Sequence, residues 1–68
     1  MRLRILREKN KISQLKLALD LNMSQNTISR YETGKREADY DTLILFADYF
    51  DVSIDYLLER TDNPKLNK

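Results

Sequence analysis

The chain has 68 residues, 41% apolar and 34% charged, with no cysteine and no histidine. That length suits one domain, burying about 60% of its unfolded surface, and the composition fits a globular fold; it excludes disulfides, thiolate chemistry and the commonest metal ligands. The net charge of +1 hides a partition: residues 1–36 carry nine Lys or Arg against three acids (+6), and residues 37–68 carry three bases against eight acids (−5).

One Gly and one Pro leave little punctuation for strands and hairpins, so the predicted elements are helices. The first spans about Arg2 to Lys9. The next four each follow a residue whose side-chain oxygen can accept from free first-turn amides. Ser13 precedes Gln14 to Leu21, Ser24 precedes Gln25 to Thr33, Asp39 precedes Tyr40 to Phe50, and Ser53 precedes Ile54 to Glu59. Leu43, Phe46, Ala47 and Phe50 recur at i, i+3, i+4 and i+7, the strongest apolar stripe in the chain. Asn10, Asn22, Asp51 and Gly34 are the expected left-handed residues at helix ends. From Thr61 the chain is polar and contains Asn63-Pro64, giving a domain over 1–60 and a polar tail over 61–68. No apolar run approaches the roughly 20 residues of a membrane span. No leader is expected before the first helix, and the cytoplasm is the expected location.

Two helices separated by Asn22 and Met23 make a helix-turn-helix candidate. At about 100° per residue with Gln25 as origin, Ser29, Thr33, Asn26 and Arg30 fall at about 40°, 80°, 100° and 140°, opposite Tyr31 and Ile28 at about 240° and 300°. One face is therefore apolar, and the other holds amides, hydroxyls and a guanidinium, with Glu32 at its edge. Gln and Asn can pair bidentately with adenine, and Arg with guanine, in a major groove wide enough for a helix. The other reading of this face is solvated polarity without a partner. The basic half is likewise either the footprint of a polyanion or a scattering of solvated charges. The N-terminus of the helix at Gln14 offers free amides to a phosphate. Lys35 and Arg36, just past Gly34, either touch phosphates or balance the helix dipole.

The runs Ser13-Gln14, Leu17-Ala18 and Met23-Ser24-Gln25-Asn26-Thr27-Ile28-Ser29-Arg30-Tyr31-Glu32-Thr33-Gly34-Lys35-Arg36 resemble the lambdoid phage repressor and Cro class of helix-turn-helix regulators. Phe46-Ala47 and Phe50-Asp51-Val52-Ser53-Ile54-Asp55-Tyr56-Leu57-Leu58 extend the resemblance to the fourth and fifth helices of this xenobiotic-response-element family. It covers roughly residues 3–60 and implies an all-α, compact five-helix bundle binding double-stranded DNA. By the resemblance, Gln25, Asn26, Ser29 and Arg30 are the base-reading residues, and Gln14, Lys35 and Arg36 contact phosphate. It also makes Arg7 and Glu32 a structural ion pair, and Ala18 the small residue where the two motif helices pack closely.

The chain departs from the family pattern at several points. Asn10, Asn22 and Asp51 stand where glycine is frequent, so strain is expected in those turns. Leu15 and Leu19 stand where polar residues are usual; they either shield a neighbouring helix or form a contact site for a protein partner. With the first helix expected from about Arg2, no long N-terminal arm around DNA is expected.

The implied function is a transcriptional regulator of repressor type, binding a palindromic operator as a homodimer with half-sites about one helical turn apart. Tyr49, Ile54, Tyr56 and Leu58 are the dimer candidates, or else plain core and rim residues. The alternative is an antitoxin-like protein-interaction module on the same fold. No cofactor, metal or enzymatic activity is expected, because no nucleophile, metal cluster or Gly-rich phosphate loop is present.

Overall fold

A computed structural model describes residues 1–65; Leu66, Asn67 and Lys68 of the predicted tail lie outside the described residues. It contains α1 (Leu3–Lys9), α2 (Gln14–Asp20), α3 (Gln25–Glu32), α4 (Tyr40–Phe50) and α5 (Ile54–Leu57), with no strand among the described residues. Four helices begin on the expected oxygens. Ser13 accepts from the Lys16 amide, Ser24 from Thr27, Asp39 from Thr42 and Ser53 from Tyr56, at 2.8–3.1 Å. Each bond satisfies one amide that the first helical turn leaves without a partner. The first helix has no side-chain cap; the Arg2 amide instead donates to the Leu57 carbonyl at 2.7 Å, tying it to the end of α5.

All five helices end in the same double hydrogen bond. The amides of Lys11, Asn22, Gly34, Asp51 and Glu59 return to Glu8, Leu19, Tyr31, Asp48 and Tyr56. The amides one residue later return to Arg7, Ala18, Arg30, Ala47 and Asp55. This closure requires a left-handed residue, and those five have φ between 55° and 77°. Two expectations are corrected here. Asn10 is not left-handed (φ −89°); its side-chain amide donates to the Leu6 carbonyl at 2.7 Å and the reversal falls on Lys11. The fifth helix stops at Leu57 rather than Glu59, because Glu59 itself is the reversing residue (φ 66°).

The core is built by the predicted apolar faces: Leu3 and Leu6 of α1, Leu17 and Ala18 of α2, Ile28 and Tyr31 of α3, Phe46 and Ala47 of α4, then Val52 and Leu57. Tyr31 meets the Phe46 ring edge-to-face, with centroids 5.4 Å apart, the favoured geometry for an aromatic pair. Leu43 and Phe50 complete the α4 stripe, half-buried against this core. Leu15 and Leu19 remain 52% and 70% exposed, which overturns the reading that they shield a neighbouring helix. Part of the segment read as a tail folds back, since the Ser53 amide donates to the Pro64 carbonyl and Arg2 reaches Asp62, each at 3.0 Å.

Candidate nucleic-acid interface

Helix α3 is held by its buried side, with Ile28 fully covered and Tyr31 nearly so. Gln25, Asn26, Arg30 and Thr33 therefore face outward, and Ser29 is partly covered between them. Asn26, Ser29, Arg30, Thr33 and Lys35 line a polar concavity of about 330 Å³. Lys35 belongs to it because the amides of Lys35 and Arg36 both return to the Arg30 carbonyl, at 3.0 and 3.3 Å. Thr33, which the sequence places on this face without a reading role, spends its hydroxyl hydrogen on the Ser29 carbonyl. It presents only an oxygen acceptor to the concavity. Arg36 stands aside, its guanidinium 5.5 Å from the Tyr31 ring centre.

Glu32, the one acid of α3, is withdrawn from the outward face, its side chain only 2% exposed. It accepts from Arg7 Nε at 2.7 Å and Nη2 at 3.2 Å, while Arg7 Nη1 donates to the Ile12 carbonyl at 2.9 Å. The hydrogen bond to Glu32 raises the Arg7 pKa above its ordinary value. Gln14 donates to the same carboxylate at 3.0 Å and accepts from Gln25 Nε2 at 3.5 Å. Gln14 is thus built into a buried charge network as well as lying at the start of α2. Spacing alone gives no sign of this, since Arg7, Gln14 and Glu32 are brought together only by the packing of three helices.

The four dimer candidates divide. Tyr49, Ile54 and Tyr56 are half-buried against the core. The Tyr49 hydroxyl donates to Asp20 at 2.6 Å, and Arg2 covers the Tyr56 ring at 4.1 Å. Leu58 is the most open of them, 38% exposed, and borders a cavity of about 380 Å³ shared with Met1, Ala38 and Leu43. Among the described residues, no group of three metal-ligating side chains converges, and no helix is long and apolar enough to cross a membrane.

Comparison with known proteins identifies the family of the fold. The helix-turn-helix family profile matches residues 3–57, from the start of α1 to the end of α5. The chain belongs to this family. The helix-turn-helix chain is 40% identical over 60 residues to the uncharacterized HTH-type transcriptional regulator YqaE of Bacillus subtilis, covering 88% of the chain and 52% of that protein. The uncharacterized regulator YobD of the same organism is 35% identical over 63 residues, covering 93% of the chain and 56% of YobD. The HTH-type transcriptional regulator ImmR, also of Bacillus subtilis, is 37% identical over 67 residues, covering 98% and 53% respectively. The chain thus spans about half the length of the curated relatives it matches. No solved structure matches it significantly.

Proposed function

We propose that this helix-turn-helix domain is a repressor that reads duplex DNA by laying α3 in the major groove, as a dimer on a palindromic operator. The observation that carries the reading is the outward face of α3: two amides, two hydroxyls and a guanidinium are presented, and the helix's own acid is neutralised by Arg7. Such a face offers hydrogen bonds to base edges without repelling phosphate. Gln25 and Asn26 match adenine, Arg30 matches guanine, and Ser29 lies beside them. Gln14, Lys35 and Arg36 flank the helix as phosphate contacts that set register. In the dimer, Leu58 covers apolar surface with the help of Tyr49, Ile54 and Tyr56. The relatives' designation as transcriptional regulators supports the same conclusion.

Selection from random duplexes should enrich one sequence with half-sites about 34 Å apart. Arg30→Ala should cost about 1–3 kcal/mol on that site and relax one base pair per half-site. No enrichment, with only weak salt-sensitive binding, would sink the reading. A second reading, an antitoxin-like module holding a protein partner, rests on the exposure of Leu15 and Leu19. It predicts that Leu15→Glu abolishes a partner complex and leaves site selection unchanged.

A further inference from the structure

We propose that the outward face of α4 is a docking surface for a second copy of this chain, which covers it head-to-tail with the exposed leucines and lysines around α2. The inference stands apart from the DNA reading and names a second copy, not a foreign protein, as what covers Leu15 and Leu19. From Glu37 to Glu59 the chain holds seven acids and no base. Helix α4 sets part of that charge beside apolar surface. At about 100° per residue with Tyr40 as origin, Ile44, Asp48, Asp41 and Leu45 follow at about 40°, 80°, 100° and 140°. Leu43, Phe46, Ala47 and Phe50 lie on the opposite side, against the core. Tyr40 is 70% exposed and Leu45 46%, with Asp41 and Asp48 exposed between them.

An apolar strip edged with acid is repelled by phosphate, so this face is unsuited to DNA. It is equally unsuited to itself, because a two-fold contact sets acid against acid. Its complement lies on the same molecule. Residues 9–19 contain Lys9, Lys11 and Lys16 and no acid, all three lysines are exposed, and Leu15 and Leu19 stand exposed in the same stretch. Lys16 is shared with Asp20 at 3.0 Å, whereas Lys9 and Lys11 pair with no carboxylate among the described residues. Each copy thus carries both halves of the contact. A contact between two different patches leaves one of each free at the ends, so it grows beyond a pair. It shares no residue with the Leu58 surface proposed for the dimer. Apolar burial supplies its affinity, and the charges set its orientation.

The test is sedimentation of the whole chain without DNA, in a Leu58→Ser background that removes the dimer contact, with thermal melts to confirm folding. The chain should form species larger than a pair as its concentration rises at low salt. They should dissolve at 1 M salt, where the screening length falls from about 10 Å at 0.1 M to about 3 Å. One variant, Asp41→Lys with Asp48→Lys, blocks the α4 face; another, Leu15→Glu with Leu19→Glu, blocks the α2 flank. Each alone should sediment as a monomer. Mixed, they should form a one-to-one complex that grows no further, since one supplies the intact flank and the other the intact face. Leu45→Ser replaces the lysine variant if loss of the first-turn acid unfolds α4. A chain that stays monomeric at every concentration overturns the inference and leaves the α4 face to a different basic protein. Continued assembly by either variant alone, or a mixture that stays monomeric, overturns it as well. None of these outcomes touches the DNA reading, which the site selection decides.

Discussion

Arg30 and Lys35 share one concavity, yet their chemistry assigns them different work. A guanidinium is a planar fork matched to a pair of acceptors, whereas an ammonium is a point charge on a flexible stem. Lys35→Ala should therefore weaken binding to every duplex about equally and reduce the slope of log affinity against log salt by about 0.9, one phosphate contact. Titration of operator and scrambled duplexes at several salt concentrations measures this. A loss confined to the operator would reassign Lys35 to base reading. The division of α3 into a buried and an outward side was legible in the sequence, because Ile28 and Tyr31 lie opposite the polar set on a helical wheel. The inward turn of Glu32 was legible only through the family resemblance, since its partner Arg7 is 25 residues away. The bond from Gln14 to Glu32 was not legible at all, because a glutamine at a helix start reads equally well as a phosphate contact.

The helices show a similar asymmetry between their beginnings and their ends. Starts were readable because Ser and Asp caps are chemically distinctive. Ends were less so, because four of the five left-handed residues are not glycine. Asn22 and Asp51 tolerate that conformation and so mark their turns in the sequence, but Lys11 and Glu59 carry no such signal, so the first reversal and the end of the fifth helix are not legible in it. These positions hold recoverable stability. Asp51 combines a left-handed backbone (φ 55°) with a negative charge at the end of α4, where the helix dipole favours a cation. Asp51→Gly should relieve both and stabilise the fold by about 1 kcal/mol, net of the extra entropy of glycine in the unfolded chain. Thermal melts should show a Tm about 4–8 °C higher. Asp51→Asn removes only the charge and should recover a smaller part. If the two variants match, strain at this position contributes nothing.

Across the whole molecule, the basic half carries α3 and the acidic half carries α4 and α5, so the two halves must be held together if the first is to present its face. One tie is the hydrogen bond from the Tyr49 hydroxyl on α4 to Asp20 on α2, at 2.6 Å, with Lys16 on the same carboxylate at 3.0 Å. The Tyr49 bond first, and Lys16 second, hold the Asp20 carboxyl below its ordinary value of 3.8. The same bond, aided by burial, raises the Tyr49 phenol above its ordinary value of 10.0. The signs follow by linkage. A carboxyl with a lowered folded pKa contributes stability above its unfolded value and loses it as pH falls through the folded one. A phenol with a raised folded pKa contributes below its unfolded value and loses it as pH rises through the folded one. The tie therefore acts over the whole neutral range and fades at both extremes. Tyr49→Phe keeps the ring against the core and deletes only the hydroxyl. Its Tm deficit relative to wild type should be constant between about pH 5 and 9 and shrink below about pH 4 and above about pH 10. Some acid lability should persist in the variant, because Asp39 is also held low, by its bonds from Thr42. A deficit that is the same at every pH would show that the hydroxyl acts by packing rather than through Asp20. A deficit that grows with protein concentration would instead place Tyr49 in the dimer contact.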